Sequence, residues 1–82
     1  MKVLFFASLR ETMACSELTL TSDQPETVSA LMEKIFLPDG RSLASYAETE
    51  SLMLAVNQKM VEGDARLEAN DEVAFFPPVT GG

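Results

Sequence analysis

Only one stretch of this chain carries a clear helical stripe, and that stretch dictates what the remainder must build. Val28, Leu31, Met32 and Ile35 fall at i, i+3, i+4 and i+7, so one face is apolar while Ser29, Glu33 and Lys34 point away from it. Thr27 precedes the stripe as an N-cap, its hydroxyl placed to accept a free backbone N–H of the first turn. Pro38 and the Asp39-Gly40 pair stop the pattern. A single amphipathic helix must bury its stripe against another layer, and the only layer this chain can offer is a sheet.

Four segments read as strands of that sheet. Lys2 to Ala7 is β-branched and aromatic, with Val3, Phe5 and Ala7 on one face and Leu4 and Phe6 on the other. Ser16 to Thr21 alternates, turning Leu18 and Leu20 inward and Glu17, Thr19 and Thr21 outward. The short polar segment between these two suggests a hairpin. Leu52, Leu54 and Val56 mark a third strand ending at Asn57. Glu72 to Phe76 is the fourth, with Val73 and Phe75 on one face and Ala74 and Phe76 on the other. Between them, Leu43, Tyr46 and Ala47 suggest a short helical turn, and Glu62-Gly63-Asp64 a turn within the broken stretch 58–67. The order ββαββ predicts an α+β roll, one mixed sheet packed on one main helix, which is the β-grasp arrangement.

Composition removes most chemistries. At 82 residues the chain is one small domain. It has no histidine, hence no imidazole base, no Ser-His-Asp or Cys-His pair and no ordinary zinc site. One cysteine excludes an internal disulfide, a CxxC pair and a four-thiolate cluster, and points to a reducing cytoplasmic compartment. A formal net charge of −7 argues against nucleic acid and anionic membrane as partners and in favour of basic proteins. The apolar run in Met1 to Ala7 is too short for a secretory signal or a membrane span.

Conventional sites are missing too. There is no G-x-G-x-x-G and no phosphate loop. The carboxylate pairs Glu48/Glu50 and Glu62/Asp64 read as solvated loops, and Asp71-Glu72 as a turn leading into a strand. Cys15 reads as a small apolar filler, the alternative being a thiol that carries sulfur as a persulfide.

The C-terminus is the anomalous place. Phe75-Phe76-Pro77-Pro78-Val79-Thr80-Gly81-Gly82 passes from a bulky strand through two prolines to bare glycine. Prolines lack the ladder N–H and favour an extended exit. Glycines then permit close backbone approach inside a narrow site on another protein. The group so delivered is the Gly82 carboxylate, ionised at neutral pH with an unperturbed pKa of about 3.5. Such a group can attack the α-phosphate of ATP to give an acyl adenylate. The chain divides accordingly into a domain at 1–76 and an extended tail at 77–82.

Met1 to Glu11, Ala55-Val56-Asn57-Gln58 and the ending Asp71 to Gly82 closely resemble the ubiquitin-like small subunits of molybdopterin synthase. The resemblance spans essentially the whole chain, and its twelve-residue ending is the most specific part. One departure is Asn70, where that family usually has glycine; asparagine is the next residue to tolerate a left-handed turn. The resemblance implies a sulfur carrier with no stably bound cofactor. An adenylating enzyme related to ubiquitin-activating enzymes would consume ATP to adenylate Gly82, and a sulfur donor system would leave a thiocarboxylate there. The tail, Pro77, Pro78, Val79, Thr80, Gly81 and Gly82, would then enter the large synthase subunit, where sulfur passes to cyclic pyranopterin monophosphate. Assembly as a heterotetramer follows from the same resemblance.

Strand phasing adds a surface. If Val3, Phe5, Val73 and Phe75 face the helix, Phe6 and Phe76 face away and lie side by side, with Met60 as a third member of an exposed partner-binding patch. Two readings compete with a molybdenum-cofactor carrier. One is a sulfur carrier for thiamine or tRNA thiolation, or a protein-conjugating modifier, since Gly-Gly endings are common to all. The other is a β-grasp interaction module with no chemistry of its own.

Overall fold

The computed structural model describes residues 1–21 and 25–78. Their order is β1 (Lys2–Phe5), α1 (Ser8–Met13), β2 (Glu17–Thr19), α2 (Val28–Glu33), α3 (Leu43–Thr49), β3 (Met53–Val56), β4 (Lys59–Val61) and β5 (Glu72–Phe76). The five strands form one mixed sheet in the order β2-β1-β5-β3-β4. β1 and β5 run parallel at its centre, with Val3 opposite Val73 and Phe5 opposite Phe75, and the other neighbours are antiparallel. The predicted α+β β-grasp roll is the observed fold.

One side of the sheet carries the core. Val3, Phe5, Val73 and Phe75 cluster with Leu9 and Met13 of α1, Val28 and Leu31 of α2, and Leu43 of α3, and all are buried. The Phe5 and Phe75 rings stack at 6.2 Å between centroids, inclined by 20°. α2 forms where its stripe predicts, and Thr27 caps it by accepting the Ala30 N–H at 3.2 Å.

The elements outnumber the expectation of four strands and one helix. The segment between β1 and β2 is α1 rather than a turn, although β1 and β2 do pair antiparallel. Ala7 leaves β1 instead of extending it, at φ 55° and ψ −139°, to start α1. The helical turn expected near Leu43 is α3, with Ser42 capping it through the Ser45 N–H at 3.1 Å. The broken stretch contains β4, a short edge strand. α2 stops at Glu33, five residues before Pro38. A proline disfavours helical backbone in the residue before it. Leu37 instead bonds to Arg41, its N–H donating to the Arg41 carbonyl at 2.8 Å, around a turn that needs Gly40 at φ 95°. Ile35 stays in the core regardless.

Candidate functional site

Among the described residues, no helix packs against the sheet's other face. Its residues follow from the register. Leu4, Ala74, Ala55 and Met60 make one row across β1, β5, β3 and β4. Met53 stands opposite Phe76 in the next row, and Phe6 extends that row on the β1 side, its N–H donating to the Phe75 carbonyl at 3.1 Å. Phe6, Phe76 and Met60 thus share a face, as their phasing predicts. Phe6 and Met60 are exposed by 46% and 56%, and Phe76 is half-buried. Met53 belongs to the same surface, a position the sequence pattern does not mark. The run Leu52-Met53-Leu54-Ala55-Val56 is apolar on both sides, so alternation gives no hint that Met53 points out.

β5 ends in the row of Phe6, Phe76 and Met53, and Pro77 and Pro78 follow it at once. The tail is therefore rooted at the edge of the apolar face. Val79, Thr80, Gly81 and Gly82 lie outside the described residues.

The start of β5 is held by side chains. The Asn57 side chain, at the tip of the β3–β4 turn, donates to an Asp71 carboxylate oxygen at 2.9 Å and accepts the Glu72 N–H at 3.0 Å. The other Asp71 oxygen accepts the Glu68 N–H at 2.8 Å. The Glu68 N–H first, and the Asn57 amide second, hold the Asp71 carboxyl below the usual range. Asn70 lies in this turn without a positive φ, so the left-handed conformation expected at this position is not adopted.

Cys15 is half-buried against the core. Glu48, Glu50 and Glu62 are exposed. Asp64 is more than a solvated loop residue, because it accepts both the backbone N–H and the hydroxyl of Ser29 at 2.8 Å. Among the described residues there is no group of three or more acidic or thiol side chains placed to hold a metal, and no helix long and apolar enough to cross a membrane.

A mixed sheet backed by helices on one face, with its first and last strands parallel at the centre, defines a ubiquitin-like protein of the β-grasp type. A solved structure of molybdopterin converting factor, subunit 1, from Pyrococcus furiosus superposes with a TM-score of 0.69 at 26% identity, covering 95% of each chain. The molybdopterin synthase sulfur carrier subunit of Escherichia coli (strain K12) is 46% identical over 81 residues, 99% of this chain and 98% of that one. The corresponding subunit of Haemophilus influenzae is 37% identical over 82 residues, covering 100% and 99%. Residues 3–82 match the ThiS family, and the chain belongs to that family, as a homologue of molybdopterin synthase sulfur carrier subunits.

Proposed function

We propose that this chain is the sulfur carrier subunit of a cytoplasmic molybdopterin synthase, with Gly82 as the residue that bears the sulfur. The domain at 1–76 docks and the tail at 77–82 delivers. An adenylating enzyme joins the Gly82 carboxylate to the α-phosphate of ATP, releasing pyrophosphate. A sulfur donor then displaces AMP and leaves a thiocarboxylate. The large synthase subunit receives the loaded tail and transfers the sulfur to cyclic pyranopterin monophosphate. The reading rests above all on end-to-end similarity to curated sulfur carrier subunits, including 46% identity over 98% of one of them. The geometry supports it in a second way. Among the described residues, Phe6, Met53, Met60 and Phe76 form an apolar face with no helix over it beside the root of the tail, so one docking event would fix the tail's point of departure.

Incubation with ATP, the adenylating enzyme and a sulfur donor should add about 16 Da, one oxygen exchanged for sulfur in an activated acyl group. Trypsin cleavage after Arg66 releases residues 67–82, which hold neither methionine nor cysteine, so a gain on that peptide marks the C-terminus. Deletion of Gly82 should abolish the gain. Sulfur found on Cys15 instead would overturn the assignment. Phe76→Asp should leave the circular dichroism spectrum intact and weaken binding to the large subunit by about 2 kcal/mol or more, the scale of a central interface aromatic. Unchanged affinity in titration calorimetry would remove the docking face from the proposal.

A further inference from the structure

The chain has five methionines, and the fold sorts them by access to solvent. Met1 and Met13 lie in the core cluster, with only 7% and 5% of their surface exposed, and Met32 is half-buried against it. Met53 and Met60 are the exposed pair, at 37% and 56%. Both sit on the outer face. Met53 is opposite Phe76, and Met60 is opposite Ala55 two residues further along β3, which makes the two methionines diagonal cross-strand neighbours.

From this placement we infer that Met53 and Met60 are a paired oxidation site, and that their conversion to sulfoxides by peroxide switches the outer face from docking to non-docking. The inference rests on the docking reading above. In the step, the thioether sulfur attacks one peroxide oxygen, the O–O bond breaks, and the second oxygen leaves as water. Sulfur is oxidised to the sulfoxide and the peroxide is reduced. A methionine sulfoxide reductase reverses the change with a dithiol, which leaves as a disulfide together with water.

The consequence for docking follows from what surrounds the new S=O group. The other members of the two rows are Leu4, Phe6, Ala55, Ala74 and Phe76, none of which has a side-chain donor. In the free carrier the sulfoxide oxygen remains hydrated, so the fold tolerates it. In a docked complex it is driven into an apolar contact with no donor among these row neighbours, and burial of a polar group without a hydrogen bond is unfavourable. The same oxidation of Met1 or Met13 would instead disrupt the core, but their burial slows it. The face that is modified first is therefore the face whose modification leaves the body folded.

The test treats the full-length chain with hydrogen peroxide, maps sulfoxides by peptide mass, and measures affinity for the purified large subunit by calorimetry. Sulfoxides should accumulate at Met53 and Met60 before Met1, Met13 and Met32. Affinity should fall by at least about tenfold, as expected for an unpartnered polar group at an interface. The thermal unfolding midpoint should stay unchanged, and treatment with the reductase should restore binding. Met53→Leu/Met60→Leu, whatever its starting affinity, should bind equally before and after peroxide; it keeps Cys15 and so controls for thiol oxidation. First oxidation at the buried methionines, full affinity of the doubly oxidised chain, or an equal peroxide loss in the leucine variant would each overturn the inference. Phe76→Asp separates the two levels. If it loses binding while the oxidised chain does not, the switch alone fails; if both bind normally, the docking reading fails with it.

Discussion

Asn57 and Gln58 carry the chain from β3 to β4 with both residues at positive φ, 51° and 69°. Val56 pairs with Lys59, so these two residues are the entire loop, and positive φ at both is the mark of a type I′ turn. The two positions differ in what they contribute. Asn57 uses its amide to hold Asp71 and Glu72, so asparagine serves both the backbone and the network. Gln58 has no such contact and bears the left-handed conformation without recompense. Gln58→Gly should therefore stabilise the protein by about 0.5–1 kcal/mol, since Asn-Gly is the preferred pair for this turn. Thermal unfolding should show a midpoint higher by roughly 2–8 °C for a domain of this size. The sequence ends the third strand at Asn57 and turns before Met60, but Asn-Gln carries none of the glycine that signals a hairpin, so the pairing of β4 directly behind the turn does not show. The turn's stability comes from Asp71, fourteen residues away.

At the scale of elements, short helices here are completed by side chains from elsewhere. α2 has six residues, and helices of that length are marginal without tertiary support. Asp64 supplies part of it through both hydrogen bonds to Ser29. The Ser29 backbone N–H first, and its hydroxyl second, hold the Asp64 carboxyl below its ordinary value, as Glu68 and Asn57 do for Asp71. Both groups have folded-state pKa values below the unfolded value of about 3.9. Their stabilisation is thus present in full above about pH 4 and is lost as pH falls through the folded values. The melting midpoint should drop as the solution is acidified below that range. Asp64→Asn/Asp71→Asn should be less stable at pH 7 and show a shallower drop, measured by circular dichroism from pH 7 to pH 2. The same scale explains what could be read in advance. α2 was legible because four apolar residues keep helical spacing. α1 offers only Leu9 and Met13 as its buried pair, and that short signal between polar residues resembles a turn. β4 is three residues long with only Val61 half-buried, so neither period shows. The outer face was legible where strands alternate cleanly, as at Phe5-Phe6 and Phe75-Phe76, and illegible where β3 is apolar on both sides.

Across the whole molecule, β5 is the strand on which everything depends. It lies between β1 and β3, and Phe75 within it is fully buried and stacked on Phe5. Phe75→Ala should cost about 3–5 kcal/mol, the range for an aromatic removed from a packed core. Small domains have only about 5–15 kcal/mol in total, so denaturant titration should show the variant far closer to its midpoint. Without β5 the sheet separates into two unjoined ladders, β2-β1 and β3-β4. The row of Phe6, Phe76 and Met53 draws on both ladders and on β5 itself. No stretch of sequence short of residues 6–76 contains it, and a chain that lacks Phe76 cannot display it. Until β5 has paired with both of its neighbours, the chain does not present these three side chains as one surface.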